Sequence, residues 1–144
     1  MALVYMTLEN ALDIHTKTID ISGGGLYEHI DIGKLESVLE HIKNDDYYPS
    51  FEEKLTHLFF CACKFHCFAD GNKRIAIVLA AQFLLLNGYL YVMESFFSKM
   101  ENISYHVAAG RIDKVLLHEI LCATLNGSDD DEELKLKIID AIKN

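Results

Sequence analysis

Within nine consecutive residues, His66 to Arg74, the chain places an imidazole, a carboxylate, a glycine, an amide side chain and two cations. These are the groups that phosphoryl chemistry needs. His66 titrates near neutral pH and can accept a proton from a substrate hydroxyl. Asp70 can hold a Mg²⁺ that bridges phosphate oxygens. Gly71 lets the backbone come close to an anion, and Asn72 can donate to a phosphate or hold the loop. Lys73 and Arg74 can neutralise charge building on a transferring phosphoryl group. Phe68 suits an apolar anchor for the loop, and Cys67 and Ala69 read as spacers. Taken singly, each residue has a plainer account. A histidine at a helix end is commonly structural, Asp-Gly-Asn is a turn, Asp70 could cap a helix, and Lys73 and Arg74 could be solvated surface. Their joint spacing in front of a wholly apolar segment favours the site.

That segment, Ile75 to Leu86, is apolar except for Gln82. A helix apolar on every side belongs in the middle of its domain. Its N-terminus would open at Gly71 to Arg74, where free backbone N–H groups and the positive end of the helix dipole attract phosphate. Other helices should surround it. Thr7 can cap a helix with Leu8, Ala11, Leu12, His15 and Ile19 on one face, closed by Gly23-Gly24-Gly25. Asp31 can cap a second, with Ile32, Leu35, Leu39 and Ile42 inward. Ser50 to Glu53 forms a capping box that starts a third, carrying Leu55, Leu58, Phe59 and Ala62 and delivering His66 at its end.

The central helix should stop at Asn87-Gly88. Leu90 to Met93 could be extended. Ser95 to Ala109 and a helix capped by Asp113 and ended by Asn126-Gly127 follow. Acids from Asp129 to Glu132 precede the pattern Leu134, Ile138, Ile142, which suits a terminal helix. The expected fold is all-α, with roughly seven helices and at most a short β-hairpin flap. Residues 1–127 form the expected domain, and 128–144 an acidic helical tail.

At 144 residues and 51% hydrophobic content, one domain with a real core is expected. A net charge of −9 argues against direct nucleic-acid binding, which needs a basic face. The central segment is too short to span a bilayer, so no membrane is expected. Four cysteines without secretory spacing, and no visible signal pattern, suit a reducing cytoplasm.

The run His66-Cys67-Phe68-Ala69-Asp70-Gly71-Asn72-Lys73-Arg74 resembles the H-x-F-x-D-x-N-K-R signature of the Doc (death-on-curing) branch of the Fic family. His15 ahead of the glycine turn, and the Asn-Gly after the central helix, are also Doc-like, so the resemblance covers about Tyr5 to Leu125. It implies ATP and Mg²⁺ as cofactors and a protein hydroxyl as acceptor. By that resemblance His66 is the general base, Asp70 positions the metal, and Gly71, Asn72, Lys73 and Arg74 cradle the phosphates. Most Fic proteins carry G-N-G-R-x-x-R and transfer AMP. Here Lys73 replaces the second glycine and Ile77 stands at the last arginine. The lysine form is typical of Doc-like toxins, which resemble kinases and typically target a translation elongation factor. Gly71 retains the adenylyl-transfer form, so AMP transfer stays open as the alternative. The inhibitory S/T-x-x-x-E-G/N pattern of some relatives is absent, which implies restraint by a separate antitoxin chain. A catalytically inert binding module is the competing class, and His66 with Asp70 counts against it.

Three further features carry readings of their own. Cys61, Cys63, His66 and Cys67 suggest a metal set, but Cys61 and Cys63 would stand about 200° apart on a helix. Small buried thiols account for them better. His15 reads as a packed, hydrogen-bonded core residue. Tyr47 and Tyr48 could clamp a target segment or pack on the domain.

Overall fold

The computed structural model describes residues 2–21, 32–64 and 72–143. Side-chain caps mark most helix starts in it. Thr7 Oγ1 accepts from the Asn10 N–H at 3.0 Å, and Asn10 Oδ1 accepts in return from the Thr7 N–H at 3.4 Å, opening α1 (Leu8–Ile21). The N-cap expected for α2 (Ile32–His41), Asp31, lies outside the described residues. Ser50 Oγ accepts from the Glu53 N–H at 3.1 Å at the head of α3 (Phe51–Lys64). After α4 (Asn72–Leu86) and α5 (Met93–Ala108), Asp113 caps α6 (Lys114–Asn126) through the Leu116 N–H. Asp131 caps α7 (Glu132–Ile142) through the Leu134 N–H. Gly127, at φ 73°, closes α6 in a conformation that costs other residues energy. Seven α-helices and no strand are present among the described residues, as an all-α fold requires.

Helix α4 is the middle of this arrangement, packed against α1, α3 and α5. Ile75, Ala76, Leu79, Ala80, Phe83 and Leu84 are completely buried. Val78 and Gln82 are half-buried, and Leu85 near the C-terminal end is 41% exposed. Helix α3 packs beside it and buries Leu55, Leu58, Phe59 and Ala62, the expected face. On α2 the inward positions are Leu35, Val38 and Leu39, followed by Ile42 just past its end. Ile32, expected inward, is 46% exposed because the buried stripe starts a turn later.

The segment after α4 is not extended. Leu90–Val92 is a single 3₁₀ turn leading directly into α5. The cause is aromatic packing: Phe51 stacks at 4.8 Å on both Phe83 and Tyr89, so the chain turns back as soon as α4 ends. Tyr91 Oη then donates to the Leu125 carbonyl at 2.8 Å, fixing the turn to the end of α6. At the same end Asn87 holds residues from the start of the chain. Its Oδ1 accepts from the Val4 N–H, while its Nδ2 donates to the Val4 and Phe83 carbonyls, all at 2.9 Å.

Helix α7 lies against α6 through buried Leu134. Lys99 reaches Asp129 at 2.5 Å and Lys137 reaches Glu119 at 3.0 Å. Among the described residues no helix is long and apolar enough to cross a membrane.

Candidate active site

Helix α3 ends at Lys64 and α4 begins at Asn72, and the two pack side by side. The candidate residues therefore fall on the link between paired helices and on the first turn of the central one. His66, Phe68, Asp70 and Gly71 lie outside the described residues, as does Cys67. Asn72 and Lys73 are the first two residues of α4, and Arg74 is exposed. The next residues, Ile75 and Ala76, are completely buried. Helix α4 thus meets the surface within its first turn, where backbone N–H groups have no intrahelical acceptor. An exposed guanidinium beside such a helix start suits an anion. At the other side of the link, Lys64 Nζ lies against the turn after α5, 3.5 Å from where a Cβ on Gly110 would stand.

Ile77 occupies the position at which AMP-transferring relatives were expected to carry an arginine, and it is 5% exposed. Its side chain belongs to the core. A charged group there would have to be desolvated or force a rearrangement.

A second polar group, which the sequence reading missed, surrounds His57 on α3. Lys114 Nζ donates to His57 Nδ1 at 2.8 Å, and Tyr48 Oη lies 3.4 Å from Nε2. The Tyr48 ring stacks on His57 at 4.4 Å, and the His41 ring is 5.9 Å away. Cys61 Sγ lies 3.6 Å from Nε2. Burial, then the Lys114 charge, then His41 push the His57 pKa down to about 4, so the ring is neutral at pH 7. The spacing His57-x-x-x-Cys61 was the available signal, since residues four apart share a helix face. Lys54, also on α3, is 1% exposed; its ammonium donates to the Ile42 carbonyl and to Asp45 Oδ1, each at 2.7 Å.

The remaining candidates divide. Tyr47 is 75% exposed, whereas Tyr48 packs on the domain. His15 is completely buried, which lowers its pKa. Cys61 and Cys63 are buried in the core. Among the described residues no three His, Cys, Asp or Glu side chains are grouped to hold a metal.

The family model described as Fic/DOC family matches residues 5–84, from just before α1 to the last turn of α4. This is more than half of the chain, which therefore belongs to the Fic/DOC family. The match includes the whole candidate stretch but ends well before Leu125, the limit expected from the motifs. Comparisons with curated proteins and with solved structures gave no match. Proteins of this family generally transfer nucleotide-derived groups to protein targets, using ATP with Mg²⁺.

Proposed function

We propose that the chain is a Doc-like toxin that transfers the γ-phosphoryl group of ATP to a hydroxyl of a target protein in the cytoplasm. A translation elongation factor is the family-typical target, and a separate antitoxin chain restrains the activity. The observation that carries this reading is the form of the motif: Lys73 inside the cradle, and a buried Ile77 in place of an arginine. A lysine fills space and adds a compact charge where AMP-transferring relatives have glycine.

The donor set fits ATP with Mg²⁺: a carboxylate for the metal, a helix start and two cations for the phosphates. When bound, ATP supplies the phosphoryl group and Mg²⁺ offsets its charge. His66 takes the proton of the attacking hydroxyl, and Asp70 holds the metal. The backbone at Gly71 and Asn72, with Lys73 and Arg74, orients the phosphates, while Phe68 anchors the stretch. Gly71 favours AMP transfer as the second reading, since it keeps the adenylyl-transfer form at that position.

Incubating the protein with candidate targets and ATP labelled at the α- or the γ-phosphate separates these readings. Label from the γ position is expected, and His66→Ala should slow its transfer by roughly 10²–10⁴-fold. Label from the α position overturns the kinase reading in favour of AMP transfer. ATP binding with no label from either position indicates an inert module.

A further inference from the structure

Helix α7 lies on the domain by one side only. Leu134 is buried there, and Ile138 and Ile142 pack beside it on the core. At 3.6 residues per turn the opposite side carries Glu132, Leu136, Ile139 and Lys143, all exposed. Leu136 and Ile139, 64% and 56% exposed, are neighbours on the helix surface and form one patch. The four positions follow the spacing of a seam along which two helices pack. The stripe reads acid, apolar, apolar, base from its N-terminal to its C-terminal end.

Turned end for end, this stripe is its own complement. In an antiparallel pair of α7 helices, Leu136 faces Ile139 of the second copy while Glu132 faces its Lys143. On the two flanks Lys135 faces its Asp140. Each of these contacts occurs twice, as a two-fold axis requires. A parallel pair would set Glu132 on Glu132 and Lys143 on Lys143, so the charges select the antiparallel one. Lys143 already reaches Asp140 at 3.1 Å and Lys135 reaches Asp130 at 3.9 Å, but all four side chains are more than half exposed. Pairs of this kind hold weakly and exchange partners at little cost. Lys137 lies off the stripe, reaching Glu119 on α6 at 3.0 Å.

We propose that this face of α7 docks on the same face of a second copy of the chain, as an antiparallel helix pair. Its 11 residues make about 16 Å of helix. An interface on that scale is at the small end of specific contacts, so the dimer is weak and forms with rising concentration. None of its residues belongs to His66–Arg74, and α7 lies beyond the family match at residues 5–84, so the pairing is independent of the transfer reaction.

The test is sedimentation equilibrium of the intact protein, from micromolar to millimolar concentration, at physiological ionic strength where the net charge of −9 is largely screened. A monomer–dimer equilibrium is expected. Leu136→Gln removes two apolar contacts per dimer and should weaken it by roughly tenfold or more. Glu132→Lys and Lys143→Glu, each checked for unchanged helix content by circular dichroism, should each weaken their own dimers by roughly tenfold. Mixed in equal amounts, these two variants should dimerise as well as the parent, because each new charge then faces its opposite. Leu136→Gln, which changes no charge, carries the test where a charge variant loses helix. A protein that stays monomeric at millimolar concentration overturns the proposal and leaves the face to a different partner. A dimer unaffected by Leu136→Gln, or helical charge variants that gain nothing on mixing, overturns it as well.

Discussion

Helix α3 is buried on two sides, and the two sides obey different rules. One presents Leu55, Leu58, Phe59 and Ala62 to the core. The other presents Lys54, His57 and Cys61, all less than 10% exposed, toward α2 and α6. The first side is stabilised in proportion to the apolar volume it removes from water, and it tolerates swaps that conserve volume. The second contributes nothing by volume alone. Each of its polar atoms must find a partner, or burial costs more than it returns. One helix can thus be essential twice, by filling space and by satisfying neighbours.

Three substitutions probe that difference. Phe59→Ala should lose the most, about 3–5 kcal/mol in urea unfolding, because a completely buried ring leaves a cavity. A loss below about 1 kcal/mol would mean that this side is not held by packing. Lys54→Met keeps the apolar stem but leaves the Ile42 carbonyl without its donor, which should cost about 1–3 kcal/mol. Asp45→Asn should cost no more than about 0.5 kcal/mol, since the Asp45 side chain is 79% exposed. Equal losses from Lys54→Met and Asp45→Asn would make the ion pair, and not the buried carbonyl, the reason for the lysine.

A pH dependence probes the polar side in another way. His57 has a folded-state pKa of about 4 against an ordinary value of 6.5, so the unfolded chain binds the proton more readily. Its stabilising contribution is complete above pH 6.5 and is lost as the pH falls toward 4. His57→Gln should flatten the stability profile in that window when melting is followed from pH 7 to 4. An unchanged slope would assign the acid sensitivity to other groups.

These two sides also mark what could be read from sequence. The apolar side of α3, the caps at Thr7, Ser50 and Asp113, and the stop at Gly127 are local patterns, complete within one helical turn or face. The chemistry between His66 and Arg74 is legible for the same reason, because its parts are contiguous. The polar side is not local. Lys54 meets groups 9 and 12 residues away, and His57 meets Lys114 across 57 residues. No periodicity announces such partners. The turn at Leu90–Val92 shows the same limit, because the Phe83–Phe51–Tyr89 stack that bends the chain joins three separate segments.

Asn87 gives Val4 one acceptor and one donor, the same pair that an adjacent strand would offer, from a single side chain. The nearby anchors are Tyr5, whose ring lies 6.0 Å from Phe83, and Met6, which is 2% exposed. Residues 2–6 can therefore peel away as a unit, leaving the helical hydrogen bonds of α4 intact while uncovering the Phe83 ring. Hydrogen exchange at the Val4 amide then times that opening separately from global unfolding. The free-energy difference between the two measures how much of the core depends on a five-residue strap.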